Sequence, residues 1–366
     1  MDLRFSDMNI IILLQWMLGF FLFWRRNEIQ ESYDFDKDKR ISVIIPARNE
    51  EKNIGNLLGS LKNQSIQIDE IIVVDDQSSD KTASIAKSFG VSVLELKDLP
   101  DGWIGKSNAC WNGYKFSTGD ILIFLDADVT LSKNAVKSLL KVHQKYGGLI
   151  STQPWHNAVR VHEKLSAMFN IIAVMSMKEF SAIGFELKPI GSFGPCLVCS
   201  RKDYETSGGH EKIKNSVVDD VAIAKSFMKS ALPVHNFLGG KLITFRMYPE
   251  SLKSLVEGWT KNFATGASRS NPLFFLMIFL WISGYMNIII YMNKISLAFY
   301  AFLYAVYAFQ FYIFSRRVGN FGVISALFFP VHVFFFVFIF VYSLIRTFLF
   351  RNVDWKGRKI KTGGIS

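Results

Sequence analysis

Five consecutive apolar residues, Ile121–Leu125, run directly into Asp126-Ala127-Asp128. Such a run reads as a buried strand. Side chains two apart on a strand point the same way, so both carboxylates can address one ion. They do so at the carboxyl edge of a sheet, where open α/β sheets bind ligands. Two hard oxygen donors with little else beside them suit Mg²⁺ or Mn²⁺ carrying a substrate diphosphate. Upstream, Ile41–Ile45 is a second buried run, closed by Pro46. From Glu50 a helical stretch carries Ile54, Leu57, Leu58 and Leu61 on one face. Ile71–Val74 and Val91–Leu94 read as further strands, with Asp80 placed between them to cap a helix bearing Ile85 and Phe89. Strands alternating with helices predict a mainly parallel sheet of βαβ units.

The chain has 366 residues, enough for one large catalytic domain and a membrane region. Half of the residues are hydrophobic and 34 are Phe, an unusual make-up for a purely water-soluble domain. The net charge of +11 raises nucleic acid as a partner, but no dense Lys/Arg run with interleaved aromatics occurs outside the C-terminal tail. Nucleic acid is therefore excluded; anionic membrane lipids and a diphosphate donor account for the charge. Met8–Trp24 is apolar and is followed by Arg25-Arg26. Basic residues after the run, and no small-residue cleavage site, favour an anchor with its C-terminal end in the cytoplasm over a signal peptide. The run is short for a span.

Pro272–Met292, Ile295–Phe314 and Val323–Ile345 are each long enough to span a bilayer. Arg316-Arg317 argues for a cytoplasmic loop. Simple alternation then puts the tail outside, against the charges of Arg351, Lys356, Arg358, Lys359 and Lys361. One of the four apolar segments is therefore expected to be interfacial or re-entrant. Leu165–Met177 carries Ser166, Asn170 and Ser176 and suits a buried or membrane-surface helix better than a span. The expected division is an N-terminal anchor (1–27), a linker (28–40), a catalytic domain (41–270), a membrane region (271–350) and a basic tail (351–366). The chain is expected to be multi-pass in the cell membrane, with its catalytic domain cytoplasmic.

Other motifs carry chemistry of differing specificity. Leu125-Asp126-Ala127-Asp128-Val129-Thr130 nearly fits the first motif of haloacid dehalogenase-type phosphatases, with Asp126 as nucleophile and Asp128 as acid. That motif follows the first strand of its domain, whereas three strands precede this one. Asp75-Asp76 ends the second strand, and an Asp there can accept from the N3–H of uracil. Gly105-Lys106-Ser107 resembles the end of a P-loop, but position 100 is Pro100 where Gly is required. Lys106 remains a single cation for donor phosphates or base. Asp219-Asp220 suits a helix N-terminus and offers a general base toward an acceptor, with Gly208-Gly209-His210-Glu211 as a flexible turn beforehand. Trp259 and Lys261 are either an interfacial anchor or a grip on acceptor and diphosphate. Cys196-x-x-Cys199 has no second ligand pair at metal spacing, so it reads as two small buried side chains in a strand. His143, His156, His162, His235 and His332 read as structural or surface residues.

Taken in order, several segments together resemble the family 2 glycosyltransferases. They are Ile45-Pro46-Ala47-Arg48-Asn49-Glu50-Glu51, Val74-Asp75-Asp76-Gln77-Ser78-Ser79-Asp80, Gly105-Lys106, Asp126-Ala127-Asp128, Gly208-Gly209-His210, Asp219-Asp220 and Gly258-Trp259-Thr260-Lys261. The resemblance covers about Ile41 to Gly266. Phe193-Gly194-Pro195, Phe245-Arg246-Met247-Tyr248 and Val353-Asp354-Trp355-Lys356-Gly357-Arg358 look like a narrower branch that acts on a carotenoid acid. What the resemblance implies is an α/β GT-A (Rossmann-like) domain with N-terminal and C-terminal transmembrane helices. It also implies a UDP-sugar donor (UDP-glucose), a divalent metal and inversion at the anomeric carbon. By motif, Asp76 would read uracil, Asp126 the ribose or metal, and Asp128 the metal-bound diphosphate. Pro46, Arg48, Glu50 and Lys106 would line the donor. Family members usually carry Glu-Asp at Asp219-Asp220, the second being the base, which favours Asp220. Many membrane members close the donor site with Gln-x-x-Arg-Trp; this chain has Glu257-Gly258-Trp259-Thr260-Lys261-Asn262 instead. Lys261 and Arg246 are then the candidates for steadying the leaving UDP. The acceptor would be a lipophilic carotenoid acid entering from the bilayer, with other carotenoid-pathway enzymes as partners. A hydroxylated lipid, a polyprenyl phosphate or a growing polysaccharide shares these motifs, and so does a scaffold that has lost catalysis.

Overall fold

The chain opens with helix α1 (Phe5–Leu22), and its apolar runs then become the centre of one sheet. The computed structural model describes residues 5–35, 38–216, 218–266, 271–292, 296–350, 352–355 and 358–361. By contacts the chain forms two compact units, one of Asn27–Trp155 with Gly191–Arg246, the other of Met1–Arg26, His156–Ile190 and Met247–Ser366. Contact thus divides the chain along different lines from composition, because His156–Ile190 packs with the chain ends.

In the first unit, β1 (Ile41–Ala47), α2 (Ile54–Lys62), β2 (Glu70–Asp75), α3 (Thr82–Ser88), β3 (Ser92–Glu95), α4 (Gly105–Phe116) and β4 (Ile121–Leu125) alternate. β5 (Val129–Leu131), α5 (Ala135–Tyr146) and β6 (Leu149–Gln153) follow, and the two-residue β7 (Trp155–His156) ends this stretch at the boundary with the other unit. The chain returns as β8 (Cys196–Ser200), α8 (Arg201–Ser207), α9 (Asp219–Lys229), β9 (Val234–Leu238) and β10 (Ile243–Phe245). The large sheet has the order β3-β2-β1-β4-β8-β6-β9. Its first four strands are parallel neighbours, as the βαβ pattern predicts. β8 departs from that pattern by running antiparallel between β4 and β6.

β1 also runs on through Pro46 to Ala47, where the sequence suggested a stop. Pairing with β4 ends at Ile44, so the missing N–H of Pro46 breaks no bond on that side, while Pro46 still stands in register with Val74 of β2. All five residues of β4 are buried, each such side chain contributing about 1.5–3 kcal/mol. Ile44, Ile72, Leu122 and Phe124 pack with Ala109 and Cys110 of α4 and Ile223 and Phe227 of α9. α4 lies so close to the sheet that a Cβ on Gly113 would collide with Ile44 and come within 3.0 Å of Val74. Cys110, Cys196 and Cys199 are free thiols inside this core.

The second unit is helical: α6 (Val161–Lys164), α7 (Ala167–Ser176), α10 (Leu252–Gly266), α11 (Pro272–Ile290), α12 (Leu297–Val318), α13 (Gly322–Leu327) and α14 (Phe329–Phe350). A short antiparallel pair, β11 (Asn352–Trp355) and β12 (Arg358–Lys361), follows. Among the described residues three helices are long and apolar enough to cross a membrane, Pro272–Ile290, Leu297–Val318 and Phe329–Arg346, whereas Met8–Leu22 is apolar but shorter. The apolar stretch 323–345 is broken at Phe328, because Pro330 suits the first turn of a new helix, where an N–H is not needed. α7 buries Met168, Phe169, Asn170, Ile171, Ile172, Val174 and Met175, so Leu165–Met177 is an internal helix.

α1 is joined to α11 and α12 by polar side chains. Gln15 donates to Ser283 (2.8 Å), Trp16 Nε1 to the Val306 carbonyl (3.0 Å), and Gln310 Nε2 to the Trp16 carbonyl (2.6 Å). Tyr307 donates to the Ile12 carbonyl (2.7 Å), and the guanidinium of Arg317 donates to the carbonyl of Phe23.

Candidate active site

The carboxyl ends of β1, β2 and β4 carry the residues that the sequence singled out. At β4 the chain turns sharply: Asp126 N–H donates to the Pro195 carbonyl (2.9 Å) and Val129 N–H to the Asp126 carbonyl (3.2 Å). Ala127 is buried between two half-exposed carboxylates, Asp126 and Asp128. β5 leaves this turn paired with β10, Val129 opposite Phe245. Arg246 therefore follows the partner of Val129, whose other neighbour is Asp128.

Lys106 stands in the first turn of α4, where a cation opposes the helix dipole. Two carboxylates offset that: its Nζ lies 2.7 Å from Asp126 Oδ1 and 3.8 Å from Asp219 Oδ2. Burial alone would lower the Lys106 pKa, but Asp126 and then Asp219 outweigh it and hold the ammonium well above its ordinary value. Burial raises the pKa of Asp126, and Lys106 pulls it back.

Asp219 and Asp220 open α9, as the acidic pair predicts for a helix N-terminus. Burial, and then the charge of Asp219, push Asp220 up to about 7. Its Oδ1 accepts from Val221 N–H (2.7 Å), and its carbonyl accepts from Ser192 Oγ (2.6 Å). A Cβ on Gly194 would lie 3.4 Å from Asp220 Oδ2 and 3.4 Å from Lys106 Nζ. The Gly191–Pro195 segment therefore passes over both groups with no side chain between, and it also supplies the carbonyl that holds Asp126. Ser192 and Gly194 were not foreseen as site residues. The sequence marks them only by Phe193-Gly194-Pro195, and a hydroxyl and a missing side chain announce no chemistry. His210, expected in a flexible turn, is instead buried against Tyr204 (2.8 Å), and burial lowers its pKa to about 4, so it is neutral at pH 7.

On the β1–β2 side, Asp76 N–H donates to the Ala47 carbonyl (2.8 Å). Arg48 Nη1 donates to the Asp76 carbonyl (2.7 Å) and lies 3.7 Å from its carboxylate, so Arg48 covers an Asp76 that is 2% exposed. Asp75 accepts from Ser78 N–H and shapes the turn. Asn49 and Gln77, just beyond β1 and β2, both adopt left-handed backbone (φ 51° and 58°), a conformation that concentrates at functional turns. Asn49 Oδ1 ties the loops by accepting from Ser79 N–H (2.9 Å). Asp80 accepts from Thr82 N–H and from Glu51 N–H, although Lys81 and not Asp80 is the cap of α3. Glu50 accepts from Asn53 (2.7 Å), and its charge is felt at Asp126.

Trp259 and Lys261 belong to α10 in the other unit. Trp259 is buried, its ring stacked on Phe169 and its Nε1 donating to Ser166 (3.0 Å). Beside it Tyr248 occupies the space that a Cβ on Gly258 would need. Tyr248-x₉-Gly258-Trp259 thus marks a packing unit. The Lys261 side chain, Arg351, Lys356 and the side chains of Arg358, Lys359 and Lys361 lie outside the described residues.

Among the described residues no three His, Cys, Asp or Glu converge on a metal position. Asp126 and Asp128 alone offer two carboxylate oxygen donors, which fits a hard cation completed by phosphate oxygens and water, as Mg²⁺ and Mn²⁺ prefer.

Residues 42–204 match the family model described as "Glycosyl transferase family 2". Over 362 residues the chain is 36% identical to 4,4'-diaponeurosporenoate glycosyltransferase of Staphylococcus aureus (strain USA300), covering 96% of each chain. The chain is a family 2 glycosyltransferase. Against the protein of the same name from S. aureus strain MRSA252 the identity is 35%, again over 96% of each chain. Among solved structures, the mannosyltransferase PcManGT from Pyrobaculum calidifontis, in complex with GDP-Man and Mn²⁺, superposes with a TM-score of 0.53 at 15% identity, covering 92% of this chain and 96% of that one. That likeness concerns the fold, and it makes the sheet of this glycosyltransferase a GT-A sheet. The phosphatase reading of Asp126–Thr130 falls with it.

Proposed function

We propose that the enzyme transfers glucose from UDP-glucose, with inversion, to the carboxylate of a C30 carotenoid acid resembling 4,4'-diaponeurosporenoate. The transfer takes place at the cytoplasmic face of the cell membrane. The observation that carries this reading is the gathering of Asp126, Asp219 and Asp220 around Lys106, with Asp128 two residues from Asp126, in a chain alike over 96% of its length to glycosyltransferases named for that acceptor. A divalent ion held by Asp126 and Asp128 supplies, when bound, positive charge to the departing diphosphate. Asp76 accepts from the uracil N3–H once Arg48 swings off it, and the freed guanidinium then faces the donor. Asp220 holds or takes the acceptor proton as the acceptor oxygen attacks the anomeric carbon and the bond to UDP breaks. A carboxyl with a pKa near 7 is matched to that work at neutral pH. Ser192 fixes the backbone of Asp220, Gly194 leaves its carboxylate open, and Arg246 steadies the leaving UDP.

Support for the membrane location comes from the outward Leu273, Phe275 and Phe279 of α11, Phe302 and Phe309 of α12, and Phe334 and Phe338 of α14. An apolar surface of this extent needs lipid or protein over it. Arg317 bonds to Phe23, so Arg316-Arg317 and Arg25-Arg26 end on one side, which favours the cytoplasm for both. One observation favours a second reading, transfer to a lipid alcohol: a base tuned like Asp220 serves a hydroxyl more than an acid already ionised. Membranes carrying the protein, given labelled UDP-glucose and either a carotenoid acid extract or a hydroxylated lipid, decide between them. A labelled glucosyl ester of the carotenoid acid is expected. Label found only in other lipids, or none at all, overturns the acceptor assignment.

A further inference from the structure

The position of Lys106 bears on how metal and donor enter, given the metal-dependent reading above. Its ammonium is 2.7 Å from one oxygen of Asp126, the same carboxylate that offers itself to a divalent cation. Asp126 and Asp128 together carry two negative charges, and Lys106 offsets one of them at contact distance. Asp219, 3.8 Å from the same ammonium, and Glu50 add negative charge nearby, but the carboxylate that Lys106 touches is that of Asp126, and among the described residues no three His, Cys, Asp or Glu converge to hold a metal. A lone divalent ion at Asp126 would therefore share its ligand with an ammonium a few ångströms away, and like charges at that distance repel. Lys106 cannot readily retreat into water, because its side chain is only 24% exposed and Asp219 holds it from the other side. A diphosphate reverses the balance. Its oxygens meet both cations, and the first turn of a twelve-residue helix already directs N–H groups toward an anion.

We propose that Lys106 makes metal uptake conditional on the donor: it opposes a metal ion arriving alone and is itself satisfied when metal and nucleoside diphosphate arrive together. Lys106 is in this sense a coupling residue, acting through Asp126 on the metal and directly on the diphosphate. Coupling of this kind is reciprocal, so Mn²⁺ must strengthen UDP binding by the same factor by which UDP strengthens Mn²⁺ binding.

The test uses the purified full chain in lipid nanodiscs, with free Mn²⁺ followed by electron paramagnetic resonance in the presence and absence of UDP. The wild type is expected to bind Mn²⁺ weakly alone and at least about tenfold more tightly with UDP, a modest effect for a charge at this distance. Lys106→Met is expected to bind Mn²⁺ alone about tenfold more tightly than the wild type, with the enhancement by UDP reduced by a similar factor. Lys106→Arg, which keeps the charge, should keep the wild-type coupling. Lys106→Gln carries the same expectation as Lys106→Met and replaces it if that variant does not fold. If the wild type binds Mn²⁺ more tightly with UDP, but removing the Lys106 charge leaves the affinity for Mn²⁺ alone unchanged or weaker, the coupling role is overturned and the metal reading stands. If the wild type takes up no Mn²⁺ even with UDP, both are overturned.

Discussion

Replacing Asp220 by Asn tests the site at its most perturbed carboxyl, and it should move activity and stability in opposite directions. Asp220 is lifted from 3.8 to about 7 by burial and by Asp219. A folded-state pKa above the unfolded one means that the native state binds the extra proton between those values. Stability therefore falls as pH rises through that window, and the loss is complete above about 7. At full strength the shift corresponds to roughly 4 kcal/mol; water reaching this half-buried group reduces it to about 1–2 kcal/mol. Asp220→Asn escapes that penalty, so at pH 8 it should unfold a few degrees higher than the wild type, by about 2–4 °C per kcal/mol. The gain should shrink toward pH 5. Activity should fall, and its pH profile identifies the acceptor. A carotenoid acid has a reference pKa of roughly 4 and is largely ionised at pH 8. The loss should then be modest at pH 8 and grow as pH falls. An alcohol must lose its proton throughout, giving a loss of about 10²–10⁴-fold across the range. Thermal unfolding and initial rates between pH 5.5 and 8.5 provide both readings. Equal or lower stability of the variant at pH 8 would refute the reasoning about burial, and a pH-independent loss above about 10³-fold would refute the carotenoid-acid acceptor.

Asp128→Ala should abolish transfer while leaving the unfolding profile intact, and excess chelator should do the same to the wild type; substantial activity in either case removes the metal assignment. Asp76→Ala should weaken UDP binding and erase the preference for uridine over other nucleotides, measured by competition; an unchanged donor constant reduces Asp76 to a turn residue. A reporter placed between Glu28 and Lys39 should be active only in cytoplasmic orientation, and cleavage of that linker by external protease in intact cells would reverse the topology.

How far the sequence could be read varied with the kind of interaction involved. β4 was legible residue for residue because its five apolar side chains are buried on both faces and acidic residues end it abruptly. β1 was legible except for its end, since whether Pro46 stops a strand depends on a neighbour that has already diverged. β6 and β9 escaped notice. Leu149–Gln153 and Val234–Leu238 mix Ser, Thr, Gln, His and Asn with apolar residues, and only their place in the sheet buries them. Cys196-x-x-Cys199 was legible as two small buried side chains in a strand, but not that this strand is the antiparallel member separating β4 from β6. In the site, the carboxylates could be named from local pattern. That Lys106 bridges Asp126 and Asp219 could not, because the three come from the ends of different elements. Gly194 was beyond reach for a simpler reason: its contribution is empty space.

The polar ties between α1 and the C-terminal helices have a consequence for how the protein is made. Gln15, Trp16 and the Ile12 carbonyl find their partners at Ser283, Val306, Gln310 and Tyr307. A ribosome delivers these 268 to 295 residues later. α1 must therefore wait, with the side-chain donors of Gln15 and Trp16 unmatched, while the whole GT-A sheet is synthesised. Sequence separation on that scale makes closure slow. During that interval α1 should be open to chaperones and quality-control proteases, and a nascent chain stalled before Ser283 should be degraded rather than accumulate as a half-built enzyme.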